Sequence, residues 1–303
     1  MRPAVSVCIP TYQHASVIGD AISTAMAQSY ENLEILVVDN ASEDDTEQVV
    51  KKIAAGDPRV RYVRHPENIG MASNFSACIS LARGDYIKPL CADDTLEPGC
   101  VAAMKAVLDE RPGVALVGCA RRLADERMAI FKVVGARGRF AQIGGQAMIK
   151  ECFSLGNRIG EPSAVMFKRA DAQRGFDGRY SQLVDLEMWL HLLQKGDFAF
   201  LPEPLCSIRQ HPDQATRVNL RHGRIVEDKS LLFRDFAPAL AGSMNLVQKS
   251  LWDGRMALSL AHARLAGNRI EPRAVREIFF PEIFASLTYP SVALLIRSRL
   301  TGT

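Results

Sequence analysis

The stretch IKPLCADDTLEPG, Ile87 to Gly99, ends an apolar run with two adjacent aspartates, Asp93 and Asp94. Neighbouring carboxylates repel, so a fold that keeps both must supply a cation, a helix N-cap or solvent. Other strand ends indicate which. Asp39 closes the apolar segment LEILVVD, and Pro10, Thr11 and Tyr12 follow the apolar segment AVSVCI. A carboxylate there can accept the ring N–H of a pyrimidine, while Thr11 offers a hydroxyl and Tyr12 an aromatic wall. Together they suit a nucleotide. A nucleoside diphosphate beside Asp93 and Asp94 needs its charge screened, and hard cations such as Mg2+ or Mn2+ take carboxylate and phosphate oxygens together. The pair then reads as a metal anchor. The plainer alternative is a turn, or an N-cap before TLEPG.

The elements that position these residues follow from periodicity. Ala4 to Ile9 predicts a buried strand, after which Ile18, Ile22 and Met26 mark one face of a helix. Leu33 to Asp39 predicts a second strand with a helix to about Ala55, and Arg59 to Val63 a weaker third strand. Met71, Phe75 and Ile79 stripe a helix as its core face, DYIKPL enters the aspartate motif, Val101 to Leu108 is helical, and Val114 to Gly118 is a strand. Strands alternating with helices predict a mostly parallel α/β sheet, which binds ligands beyond the carboxyl ends of its strands. That rule brings Pro10 to Tyr12, Asp39 and Asp93/Asp94 to one crevice.

Composition narrows the class. The 303 residues are 48% hydrophobic and 23% charged with a net charge of +3, which gives no reason to expect a nucleic-acid partner. Seven scattered cysteines without a C-x-x-C pair point to a reducing cytoplasm. The opening VSVCIP lacks the basic and apolar regions of a signal peptide, and no segment reaches the roughly 18 apolar residues of a membrane span.

VSVCIPTYQHASVIGDAISTAMAQSYENLEILVVDNASEDDT, then NIGMASNFSACISLARGDYI, then LCADD resemble, in order, the successive motifs of family 2 glycosyltransferases. The likeness is close over about Val5 to Thr95 and looser over Glu161 to Thr216. It implies the GT-A fold, a Rossmann-like, mostly parallel mixed sheet flanked by helices, and a metal-dependent inverting transfer from a nucleotide sugar. Carried over by position, Pro10, Thr11 and Tyr12 line the base pocket and Asp39 reads the base. Asp93 and Asp94 then hold ribose, Mn2+ or Mg2+, and diphosphate. The chain departs from the family pattern at Cys91, where Asp is frequent, at Asn40, and at Pro89, which predicts an edge-like or bulged strand end.

In the second half, GEPSAVMFKR reads as a Gly/Pro turn entering a strand, and a helix starts near Asp185 with Leu186, Leu190 and Leu193 on one face. The resemblance implies that Asp185 is the catalytic base; an N-cap role is the alternative, and Glu187 is the reserve base. It also implies that SIRQHPDQAT closes over the diphosphate. Arg209 would then neutralise charge on the leaving group, and His211 would ligate the metal or donate to a phosphate oxygen. His14, His65, His191, His222 and His262 have no comparable context.

The expected organisation is a catalytic domain over residues 1–220 and a helical C-terminal extension over 221–303. EIFFPEIFASLTYPSVALLIRSRL, broken by Pro281 and Pro290, fits packing on the catalytic domain, pairing with another subunit, or peripheral contact with a membrane carrying a lipid-linked acceptor. The expected activity moves a sugar from a UDP- or dTDP-linked donor to a hydroxyl of a carbohydrate or lipid-linked acceptor, as in surface polysaccharide synthesis. The alternatives are a nucleotide-sugar-binding protein with decayed catalysis and a nucleotidyltransferase. Against the latter, IPTYQHAS lacks a glycine- and basic-rich phosphate loop.

Overall fold

The computed structural model describes residues 2–135, 138–211 and 224–265. The segment from Asp213 to Thr216 and the apolar C-terminal stretch with Pro281 and Pro290 lie outside them.

Two fully buried strands form the centre: β1 (Val5–Thr11) and β2 (Leu33–Asp39), both apolar almost throughout, as strands covered on both faces must be. They pair in parallel with Thr11 beside Asp39. β3 (Val60–Arg64) extends the parallel run from β2, and β4 (Tyr86–Pro89) joins the other side of β1. Beyond them come β5 (Thr95–Leu96), β6 (Val114–Ala124), β7 (Ile130–Val134), β8 (Ala141–Ile143), β9 (Val165–Lys168) and β10 (Asp197–Arg209). The whole is one 10-stranded mixed sheet with the path β3-β2-β1-β4-β9-β6-β10-β5. Short β9 lies antiparallel to β4 and to β6, so the sheet is parallel on its first four strands and mixed after them.

Helices cover both faces. α1 (Ile18–Met26), α2 (Thr46–Ala54) and α4 (Cys100–Glu110) bury Ile18, Ile22, Val50, Val101 and Met104 in one cluster with Val5, Val7 and Ile9. The alternate strand residues face the other side, where α3 (Met71–Leu81) and α6 (Val184–Leu193) pack. There Asn74 Nδ2 donates to the Val38 carbonyl, and the Phe167 and Trp189 rings lie 5.9 Å apart. The expected core stripe on α3 is displaced. Met71 is 43% exposed, and the buried face is Ala72, Asn74, Cys78 and Ile79, because small side chains let the helix approach the sheet.

Pro89 stands at a strand end that is open on one side, as expected. β4 is an interior strand, and Pro89 is its last residue, past the Tyr86–Lys168 and Ile87–Phe167 pairs that β9 makes. A residue without an N–H is tolerated where no partner strand needs one.

The remaining helices are α5 (Gly145–Leu155), α7 (Arg224–Leu240) and α8 (Leu246–Leu265). The chain divides into two compact units, one of residues 1–149, 159–179 and 184–214, the other of 150–158, 180–183 and 215–303. In the second, α7 and α8 pack together, and Trp252 stacks between Phe153 and Phe233 at 4.7 and 5.7 Å. No described helix is long and apolar enough to cross a membrane.

Candidate active site

The crevice opens where a proline stops a ladder. The last bond between β4 and β1 runs from the Leu90 N–H to the Cys8 carbonyl at 2.9 Å. The next would need the nitrogen of Pro10, which has no hydrogen. Beyond it the chain leaves β1 and the neighbouring β2 through tight turns, with Gln13 at φ +60° and Ala41 at φ +64°, both left-handed without being glycine. Such strained non-glycine positions cluster at binding sites.

Asp39 ties these turns together. Its Oδ1 accepts the Ser42 N–H at 2.9 Å and the Ser42 hydroxyl at 2.6 Å; Ser42 Oγ in turn accepts the Gln13 N–H at 2.8 Å. Oδ2 accepts the Tyr62 hydroxyl at 2.5 Å, and the residue is wholly buried. Burial and that bond push the Tyr62 hydroxyl far up from its ordinary value. The structure thus places Asp39 beside Thr11 as expected but turns its carboxylate onto protein donors. Tyr12 stands 41% exposed at the mouth, as a free aromatic face would.

The acidic cluster lies across the crevice. Ligand atoms of Cys91, Asp93 and Asp94 all fall within 4.8 Å of one another. Asp94 is 2% exposed, and burial together with the charge of Asp93 raises its carboxyl well above the usual value. The Cys91 thiol is likewise held up by burial and by both aspartates. A divalent cation would relieve this strain, so the residues fit one. The oxygens of Asp93 and Asp94 are the donors a hard ion takes, and neutral Cys91 is a bystander.

Arg209 and His211 reach the cluster from the end of β10. His211 Nε2 stands 3.2 Å from Asp93 Oδ2. Arg209 is the more enclosed of the two. Its guanidinium donates to the Asp93 carbonyl at 2.9 Å, the Glu126 carbonyl at 2.6 Å and Asp20 Oδ2 at 2.7 Å, and its own N–H to Asp94 Oδ1 at 3.0 Å. Buried and held at all three guanidinium nitrogens, it clamps the aspartate motif in the ligand-free chain.

Asp185 sits in the first turn of α6, half-buried, with Oδ1 accepting the Leu186 N–H at 2.7 Å. Its charge adds a little to the upward push on the Cys91 thiol, after burial and the two aspartates, so Asp185 lies within electrostatic reach of the metal motif. Glu187 is excluded as a reserve base: it is buried and grips Arg174 through both oxygens at 2.7 and 2.8 Å. An ion-paired carboxylate in that geometry is a poor proton acceptor.

Two residues enter the site that the sequence reading passed over. His14 lies in the turn after β1, its Nδ1 accepting the Tyr12 N–H at 3.4 Å, and burial lowers its pKa while Asp93 and His211 act on it electrostatically. The strand-end rule that selected Thr11 and Tyr12 would have reached it two residues on. Ser163 sits in the one-turn helix Pro162–Ala164, where its hydroxyl donates to Asp94 Oδ2 at 2.6 Å. Only the arrival of β9 beside β4 brings it there.

Comparison with known proteins gives the family and the fold. The family model described as Glycosyl transferase family 2 matches residues 6–170. A chondroitin synthase of Pasteurella multocida (strain Pm70) is 28% identical over 219 residues, 72% of this chain and 22% of that longer protein. Among solved structures, S. aureus TarS 1-349 in complex with UDP-GlcNAc superposes with a TM-score of 0.63 at 13% identity, covering 100% of this chain and 93% of that one. The mannosyltransferase PcManGT from Pyrobaculum calidifontis, in complex with GDP-Man and Mn2+, gives 0.59 at 20% identity over 98% and 84%. At those identities the structural likeness is one of fold.

Proposed function

The chain belongs to glycosyl transferase family 2, and from that membership we propose that it moves a sugar from a nucleoside diphosphate donor to a hydroxyl acceptor with inversion at the anomeric carbon. The observation that carries the proposal is the cluster of Cys91, Asp93 and Asp94 beyond the parallel strands, with the charge of Asp185 felt at Cys91. Donor diphosphate and acceptor hydroxyl then meet between a metal-binding pair and a base.

Asp94 and Asp93, with His211 beside Asp93, would hold Mn2+ or Mg2+. The ion supplies positive charge against the diphosphate. Asp185 takes the proton of the acceptor hydroxyl as that oxygen bonds to the anomeric carbon. The bond from that carbon to the phosphate oxygen breaks on the opposite face, and the electron pair leaves on the diphosphate. Thr11 and Tyr12 border the base. A uracil or thymine base is the reading that Asp39 supports, and it requires the Tyr62 and Ser42 contacts to loosen on binding. The proposed acceptor is a carbohydrate or lipid-linked glycan in polysaccharide synthesis, a reading supported by the relationship to a chondroitin synthase. Seven free thiols support action in the cytoplasm.

The experiment is Asp185→Asn with donor and acceptor supplied. The amide keeps size and the Leu186 contact but loses basicity. Donor affinity and Tm should stay near the parent, while kcat falls by roughly 10²–10⁴. Retained turnover with a lowered Tm would make Asp185 a capping residue instead.

A further inference from the structure

We infer that Ser163 is a positioning residue that sets the paired-aspartate motif in its cation-binding shape, and that the buried ammonium of Lys88 holds Ser163 in place. The inference rests on the proposal that Asp93 and Asp94 bind a divalent cation.

Ser163 is wholly buried, in a one-turn helix 69 residues along the chain from Asp94. Its Oγ accepts the Cys91 N–H at 2.9 Å and donates its one proton to Asp94 Oδ2 at 2.6 Å. With the backbone donor on one lone pair, the hydroxyl proton is directed at the carboxylate. Asp94 Oδ1 meanwhile accepts the Arg209 N–H at 3.0 Å. Each Asp94 oxygen is thus held by one protein donor and keeps acceptor capacity for a cation, with the carboxylate plane fixed from both ends.

Ser163 is itself anchored. The Lys88 side chain, wholly buried in β4, donates from Nζ to the Ser163 carbonyl at 2.6 Å and to the Pro89 carbonyl at 3.0 Å. The Pro89 carbonyl lies past the last β9 pair, so the ammonium replaces a missing ladder donor while it ties the turn of Ser163 to the strand that enters the motif. A buried lysine between two carbonyls is expensive. Its placement makes sense as a strut for the ligand that follows six residues later. Groups that orient ligands typically change metal affinity 10–100-fold when removed.

The test measures Mn2+ binding to the full chain by electron paramagnetic resonance, with Mn2+ alone and again with UDP present. Ser163→Ala removes one oxygen, and its Mn2+ affinity should fall about 10-fold or more while the Tm in EDTA drops only a few degrees. Ser163→Thr, which keeps the hydroxyl, should bind Mn2+ within about threefold of the parent. Parent-like Mn2+ affinity in Ser163→Ala overturns the inference, whatever happens to its Tm. So does a Ser163→Thr chain that folds and binds as poorly as Ser163→Ala. A parent chain that binds no Mn2+ under either condition removes the metal reading itself, and the inference with it.

Discussion

At Asp94 two demands meet on one carboxyl. Burial and the neighbouring Asp93 raise its folded value above the unfolded one. The folded chain therefore binds this proton more tightly, and the contribution it makes to metal-free stability, fully present below the ordinary carboxylate value, is lost as pH rises through the folded value. A divalent cation displaces the same proton, so Mn2+ affinity should rise with pH and weaken progressively as the medium is made more acidic. Titrations at several pH values check this, and a flat profile refutes it. Asp94→Asn has no proton to release; its Tm in EDTA near neutral pH should equal or exceed the parent's while Mn2+ binding disappears. Asp39 makes the opposite prediction. Asp39→Ala leaves the Tyr62 hydroxyl and the Ser42 donors unpaired in a buried site, which should cost about 1–3 kcal/mol in urea unfolding. If its base-reading role also holds, the parent binds UDP or dTDP well above ADP and GDP; equal binding of all four removes that role and leaves Asp39 structural.

At the scale of elements, the site is shaped by where strands stop. Pro10 ends the β1–β4 ladder, and the left-handed turns at Gln13 and Ala41 carry the chain around the gap. A left-handed alanine is strained by roughly 1–2 kcal/mol, part of which glycine returns as entropy lost on folding. Ala41→Gly should therefore stabilise the chain by about 0.5–1 kcal/mol, measured by chemical denaturation. A destabilised variant would mean that the alanine methyl contributes packing that outweighs the strain. α6 illustrates the opposite limit. Its sequence predicts one apolar face, yet Leu186, Glu187, Met188, Trp189 and Leu190 are buried in succession. Such all-round burial gives Asp185 a rigid mount, and the Trp189 ring N–H, bonded to the Gly160 carbonyl at 3.1 Å, pins the helix to the segment that carries Ser163.

Across the whole molecule, the chain runs twice out of the unit that holds the sheet and back before its last helices. The second unit takes up Lys150–Arg158 and Tyr180–Leu183, the latter ending one residue before α6. Within that unit Asp228, 1% exposed, accepts the backbone N–H groups of Ser181, Gln182 and Leu183 at 2.5 to 3.1 Å. Tyr180 donates to Asp235 at 2.8 Å, so the same turn is held at both ends by α7. Asp228→Ala strips a buried acceptor from three half-buried donors and should lower stability by about 1–3 kcal/mol in urea unfolding, more than a surface aspartate would. A loss under about 0.5 kcal/mol would show that water serves these donors as well as the carboxylate does.

Local pattern alone determined a good deal here. The bounds Leu33–Asp39 of β2, the helices after β1 and β2, and the landing of Thr11, Asp39 and Asp93/Asp94 at strand ends all follow from apolar periodicity and turn residues, which act over a few positions. The motif order carried the family for the same reason, since each motif is a strand end and its turn. What pairs with a carboxylate across the fold is not a local property. Ser163 and Lys88, Glu187 and Arg174, Arg209 and Asp20 meet only after β9 inserts antiparallel and α6 and β10 close against the sheet. Burial then decides their chemistry: it turned Asp39 onto Tyr62, made Arg209 a clamp, removed Glu187 from candidacy and raised the proton affinity of Asp94. Each outcome depends on how much water the final packing leaves around a charge, a quantity that exists only once distant segments are in contact.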